Sequence, residues 1–468
     1  MIPNDTIIAL ATPPGSGAIA VIRISGKKAI PLVSTHFGSV RGKDLSKQKS
    51  HTIHLGHLKD KEYLLDEVLV SIFKGPHSYT GEDVVEISCH GSPFIQQQII
   101  QLFLRKGCRM AEAGEFTLRA FLNAKMDLSQ AEAVADLIAS ENAASHEIAI
   151  KQMRGGFSSE IKRLRGELLN FASLIELELD FAEEDVEFAN RGQFKDLLKE
   201  IRTLLKQLID SFALGNVIKN GIPVAIVGEP NVGKSTLLNA LLKEERAIVS
   251  EIPGTTRDTI EDEISIGGVG FRFIDTAGIR QTQDSIEEMG IQRTFQKMEQ
   301  AQLVVYLVDG IGLIAMGDLE ENLYMVQQEI IKLQRNYPDK RLLTVINKID
   351  QLNGQEQLVI QNTHKDVLLL SAKMGEGVEE LKAKLLELID NGVLRNKGTV
   401  VSNTRHDDAL LKALKEVEKV QRGINEEVPG DLLSIDIKQA LNHLGEITGE
   451  ITSDELLGNI FANFCIGK

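Results

Sequence analysis

Five apolar runs of strand length, IPVAIVG, FRFIDTAG, LVVYLVDG, LLTVINK and VLLLSAK, succeed one another between residues 222 and 373, with helical sequence between them. Runs that apolar have no polar face to offer water, so they predict a parallel sheet buried on both sides by helices. The flanking sequence has a different texture. Residues 1–123 alternate shorter β-rich runs (TIIALAT, AIAVIRIS, EVLVSIF, DVVEISCH) with Gly/Pro turns and one helical run, FIQQQIIQLFLRKG, which reads as an α+β domain. Helical periodicity begins at MDLSQAEAVADLI, where Asp127 or Ser129 is placed to cap, and continues through SSEIKRLRGELLNFASLIELELDF to about residue 214. It returns after residue 390 in DDALLKALKEVEKVQRGI and LLSIDIKQALNHLGEIT.

Two separated helical pieces would each need a core of their own, so the economical architecture is one helical bundle interrupted by an inserted α/β domain. The expected divisions are 1–123, 124–218, 219–388 and 389–468, and the length of 468 residues suits about three folding units. The chain is 43% hydrophobic and 25% charged and has no tryptophan. MIPNDTIIALATPPGSGAIAVIRISG has neither a basic start nor a long apolar core, and nothing reaches the ~18 apolar residues of a membrane span, so a cytoplasmic protein without a membrane anchor is expected. Cys89, Cys108 and Cys465 are far apart and form no CxxC pair, which predicts free thiols. With 52 basic and 67 acidic residues the formal charge is -15, a surface that repels a polyphosphate unless basic groups cluster locally or a partner supplies them, so nucleic acid is expected to be shared with a partner.

GEPNVGKS, Gly228 to Ser235, matches G-x-x-x-x-G-K-[ST] between the strand IPVAIV and the helix TLLNALL. Glycine there lets successive amides face phosphate oxygens, so Asn231, Val232, Gly233, Lys234, Ser235 and Thr236 are the expected phosphate contacts. Lys234 would reach the β and γ phosphates, and the Ser235 hydroxyl would ligate Mg²⁺. In DTAG, Asp275 can hold the Mg²⁺ shell and the Gly278 amide can meet a γ-phosphate, with Thr276 and Ala277 between them. In NKID, the Asp350 carboxylate can accept two N–H bonds from guanine that adenine cannot offer, which makes Asn347, Lys348 and Asp350 the base-recognising set. Ser371, Ala372 and Lys373 of SAK complete it, with the Ala372 backbone at the guanine O6. These motifs stand in order at the ends of successive strands, so the expected nucleotide is GTP in a Ras-like P-loop domain. SEIPGTTRD carries Ser250, Glu251, Ile252, Pro253 and Gly254 into Thr255 and Thr256, of which Thr256 is the better candidate to close over Mg²⁺ and γ-phosphate. Ile279 occupies the place where Ras-like enzymes keep a water-orienting glutamine, so another group must orient water.

Over its whole length the chain resembles the MnmE family, also called TrmE, of tRNA-modification GTPases. The resemblance rests on DTIIALATPPG and RISG, TGEDVVEISCHG, GEFTLRAFLNAKMDLSQAEAVADLI, the G motifs with GTTRD and DTAGIR, and ITGEITSDELLGNIFANFCIGK. Ser92 in CHGSP departs from the glycine of the family pattern and touches only a local turn. The resemblance implies GTP hydrolysis when two G domains meet around a bound K⁺, with Asn231, Ser250, Ile252 and Thr255 as K⁺ ligands. It places Glu287 at the water-orienting glutamate, with the neighbouring Glu288 as rival. It implies an N-terminal domain that dimerises and binds 5-formyl- or 5,10-methylene-tetrahydrofolate through Arg23, Glu86, Lys125 and Lys468. Finally it implies a homodimer that forms a heterotetramer with the FAD protein MnmG (GidA) and adds a carboxymethylaminomethyl or aminomethyl group to C5 of the wobble uridine of certain tRNAs. Two other classes compete: a ribosome-assembly or RNA-chaperone GTPase without carbon transfer, and a pure interaction switch. No Lys/Arg-rich segment of the kind a chaperone would carry is visible.

The segment FCIGK leaves Cys465 with several readings. Glycine and lysine suit a prenylation box poorly, and a metal site lacks partners at sensible spacing. A buried thiol following the apolar LLGNIFANF is the plain alternative. The family resemblance instead puts the tail in the folate pocket, making Cys465 a candidate catalytic residue.

Overall fold

Alternating burial along the first strands sets up everything that follows. The computed structural model describes residues 5–180, 191–245, 262–274, 298–315, 317–363, 366–389, 400–462 and 464–467. Two compact units divide the chain, one of residues 1–138, 149–205 and 408–468, the other of 139–148 and 206–407.

In the first unit, β1 (Thr6–Leu10), β2 (Ile19–Ser25), β3 (Phe37–Ser39), β4 (Thr52–Asp60), β5 (Tyr63–Phe73), β6 (Val84–His90) and β7 (Cys108–Met110) form one sheet in the order β3-β4-β5-β6-β2-β1-β7. All neighbours are antiparallel except β1 and β7. Ile22, Ile24, Val70, Ile87, Ile99 and Phe103 share a core with the helices Ala29–His36 and Pro93–Arg105. Side chains alternate across a strand, so Arg23 and Glu86, paired in register, fall on the opposite face from that core. Helix Leu128–Ile138 starts at a reciprocal cap: the Gln130 amide donates to Asp127 Oδ1 at 3.0 Å, and the Asp127 amide to Gln130 Oε1 at 3.0 Å. Asp127 is thus the cap, and Ser129 is buried at the second position of the helix.

Helix Gly156–Asp180 buries Ile161, Leu164, Leu168 and Ile175, an i, i+3, i+7 stripe, while Gly430–Thr448 buries Leu433, Ile437, Leu441 and Leu444. Arg165 Nε donates to the Leu441 carbonyl at 3.3 Å, so helices from before and after the insert share one bundle.

The second unit carries β8 (Ile222–Val227), β9 (Asp262–Ile266), β10 (Val269–Phe273), β11 (Leu303–Asp309), β12 (Arg341–Asn347) and β13 (Leu368–Leu369), in the order β13-β12-β11-β8-β10-β9. Val224 and Ile226 enter one core while Ala225 and Val227 enter another, the two-sided burial that the apolar runs require. Every pairing is parallel except β9 with β10, which the apolar runs did not announce. Gly267 and Gly268 join these two strands with φ of 58° and 82°, the left-handed pair that a tight two-residue hairpin needs. The run VLLL contributes only the two-residue β13. Among the described residues no helix is long and apolar enough to cross a membrane.

Candidate functional site

The carboxyl ends of β8, β11 and β12 bring together the motifs of the second unit. Gly233 stands at φ 98°, and a Cβ there would lie 2.3 Å from Asn347 Nδ2, so only glycine lets the phosphate loop approach β12. Val232 anchors the loop in the core below it, and helix Lys234–Glu245 follows at once. Lys234 Nζ donates to the Gly228 carbonyl at 2.8 Å and the Glu229 carbonyl at 2.7 Å, closing the loop on itself. Ser235 is half-buried and Asn231 and Thr236 are exposed, so polar groups stand at the mouth of an amide-lined helix start.

Asn347 is the joint between the phosphate and base sides. Its Nδ2 donates to the Val232 carbonyl at 2.8 Å, and its Oδ1 accepts from the Ala372 amide at 2.9 Å. Both partners are buried, and Asn347 itself is 2% exposed, so its role is to clamp two loops rather than to face solvent. Ser371 Oγ donates to Asp350 Oδ1 at 2.6 Å and accepts from the Met374 amide at 3.2 Å, which holds the exposed Asp350 carboxylate beside SAK. Lys348 adopts φ 70°, and its Nζ lies 2.6 Å from Asp309 Oδ2. Lys373 is exposed next to Ala372. Ser250, Glu251, Ile252, Pro253, Gly254, Thr255, Thr256, Asp275, Thr276, Ala277, Gly278, Ile279, Glu287, Glu288 and Lys468 lie outside the described residues.

In the first unit a second constellation forms on the face of the sheet opposite the core of Ile22, Ile24 and Ile87. Arg23 Nε donates to Glu86 Oε1 at 2.9 Å, and Nη2 lies 2.8 Å from the same oxygen. Arg23 Nη1 donates to the Gly467 carbonyl at 3.2 Å, while the guanidinium carbon lies 5.4 Å from the Tyr79 ring centroid and 5.6 Å from that of Phe116. Burial pushes the Tyr79 phenol up, although its hydrogen bond to Thr117 and the Arg23 charge pull it back. The tail reaches this place through a bridge between Ile466 and Ala113 and a bond from the Gly114 amide to the Cys465 carbonyl at 3.4 Å. Lys125 Nζ donates to the Pro76 carbonyl at 2.9 Å, on the loop that also carries Tyr79. Cys465 is exposed, which removes the buried-thiol reading. Cys89 and Cys108 are buried, and burial pushes both thiols up to about 11.

Sequence reasoning passed over Asp309, Tyr79 and Phe116. Asp309 closes the run LVVYLVDG, where Asp-Gly reads as a turn; Phe116 sits inside the quoted GEFTLRAFLNAKMDLSQAEAVADLI and Tyr79 just before TGEDVVEISCHG, but neither has a spacing of its own.

An ordered series of loops around a glycine-shaped phosphate cradle, at the carboxyl ends of a six-stranded, mostly parallel sheet, defines a P-loop protein of the GTPase class. The rest of the chain narrows this further. Residues 6–125 match the family model of the GTP-binding protein TrmE N-terminus, and residues 128–465 that of the MnmE helical domain. The tRNA modification GTPase MnmE of Christiangramia forsetii is 66% identical over 99% of this chain and 99% of its own, and that of Flavobacterium psychrophilum is 65% identical over 100% of each. The FeoB G-domain from Methanococcus jannaschii is 29% identical over 36% of this chain and 97% of its own, with a TM-score of 0.23. The chain belongs to the MnmE family of tRNA modification GTPases.

Proposed function

We propose that the protein is a K⁺-activated GTPase. With the FAD protein MnmG, it would add a carboxymethylaminomethyl or aminomethyl group to C5 of the wobble uridine in certain tRNAs, taking carbon from 5-formyl- or 5,10-methylene-tetrahydrofolate. The observation that carries the reading is the Asn347 clamp, which ties the phosphate loop to the SAK loop, while Ser371 holds the Asp350 carboxylate beside SAK; there Asp350 would meet a guanine edge. Mg²⁺ would be held by Ser235 and Thr256, and K⁺ by Asn231, Ser250, Ile252 and Thr255; bound there, the cations supply charge stabilisation for phosphoryl transfer. The chain's own part is to orient the phosphates with Lys234 and loop amides and to orient water with Glu287.

On the folate side, Arg23, Glu86 and the tail already meet, which supports a ligand place on that sheet face, with Lys125 and Lys468 as further contacts and Cys465 as candidate catalytic thiol. The same face exposes Ile53 at 67%, with Leu55 and Leu69, apolar surface that suits the homodimer. Cytoplasmic location, the tRNA and MnmG assembly, and the divisions 1–123, 124–218, 219–388 and 389–468 complete the proposal. Nucleoside analysis of tRNA from a deletion strain tests it: loss of the wobble modification is expected, and unchanged wobble uridines would favour a chaperone or interaction switch. GTP turnover several-fold faster in K⁺ than in Na⁺ is expected, and equal rates would remove the K⁺ site.

A further inference from the structure

Asp309 ends β11 in register with Asn347 at the end of β12, so the side chain after each strand end stands at the same rim of the sheet. Its two oxygens do different things. Oδ1 accepts the Ile311 amide at 3.0 Å, which fixes the carboxylate on the turn that opens helix Gly310–Ala315. Oδ2 lies 2.6 Å from Lys348 Nζ. Lys348 is held from its backbone as well, because Asn347 just before it is clamped by two buried hydrogen bonds. A lysine carries long, flexible rotamers, and ordering them costs free energy when a ligand binds. A carboxylate fixed at one end and bonded to the ammonium at the other removes that cost before the ligand arrives. Both groups are about a quarter exposed, so the pair is reached by solvent and contributes little to folding on its own.

We propose that Asp309 is a positioning residue for the guanine nucleotide: it acts through Lys348 and makes no contact with the ligand itself. The inference rests on the reading of Lys348 as a nucleotide contact. The experiment measures GDP and GTP dissociation from the full chain and from Asp309→Asn, Lys348→Ala and the double variant, with urea unfolding as the check on folding. Asp309→Asn keeps shape and the Ile311 bond while losing the charge, and Asp309→Glu serves as the partial rescue. Each single variant is expected to release nucleotide about tenfold faster, with the double variant no faster than Lys348→Ala alone, because interacting residues are not additive. Multiplying losses in the double variant, or parental release rates from Asp309→Asn, would overturn the proposal while leaving the nucleotide reading intact. Parental rates from Lys348→Ala, or failure of the parent chain to bind either nucleotide, would overturn the reading of Lys348 and the inference with it.

Discussion

Asn347 shows how one buried amide can hold a site together. Replacing it by alanine orphans the Val232 carbonyl and the Ala372 amide at once, and buried unpaired groups cost about 1–3 kcal/mol each. Asn347→Ala should therefore lower the stability of the P-loop unit by about 2–4 kcal/mol in urea denaturation, besides weakening GTP. Glu287→Ala should lose turnover and keep GTP affinity, measured by single-turnover hydrolysis beside equilibrium binding; if Glu288→Ala alone does so, the glutamates exchange roles. At this scale the sequence located the loops that carry the motifs. Lys234 lies in the loop that follows β8, and Ser371 stands beside Asp350. It was silent on Asp309, whose partner is 39 positions away, because such pairing is set by the register of β11 on β12.

At the scale of elements, apolar runs and helical periods carried most of the information. The strands they missed are those whose apolar alternation is short or interrupted. In β4 the buried positions include His54 and Gly56 while Ile53 and Leu55 face outward, so the alternation hides its core face. β9 reads as acidic, DEISI, and only the Gly267–Gly268 pair marks its hairpin. Helix starts were clearer. The Asp127 cap also accepts from Ser158 Oγ at 3.0 Å and lies 2.9 Å from Lys162 Nζ, so it ties helix Leu128–Ile138 to helix Gly156–Asp180. Asp127→Ala should cost about 1–2 kcal/mol by thermal or urea unfolding, and Asp127→Asn, which retains a cap oxygen, should recover most of it.

For the whole molecule, one buried charge network contributes to the response to acid. Arg119 is 1% exposed and bonds Asp5 at 2.6 Å, Glu115 at 2.9 Å and Glu82 at 3.1 Å, joining the first strand, a helix and the loop that carries Tyr79. Burial alone would raise the Glu115 and Asp5 carboxyls, but bonds from Arg109 and Arg119 outweigh it and hold both below the usual range. Folded values below unfolded ones stabilise above the unfolded carboxyl pKa, and that contribution is lost as pH falls through the folded values. Thermal midpoints should therefore hold steady down to about pH 4.3 and drop below it, with a shallower drop in Glu115→Gln. No single segment announces such a network, because its members are up to 114 positions apart.

Arg23 and Gly467 are separated by 444 positions, so their bond also has a place in time. At ribosomal rates of about 5–20 residues per second, Gly467 follows Arg23 into the nascent chain by roughly 20–90 seconds. The β2–β6 pairing needs no residue beyond His90, so the sheet can form long before its tail is synthesised. During that interval Glu86 can orient Arg23, but the Gly467 carbonyl is absent and Arg23 Nη1 lacks that acceptor. A chain stalled before Gly467 would thus carry the β2–β6 pairing without the bond from Arg23, and synthesis of the segment around Gly467 becomes the event that supplies it.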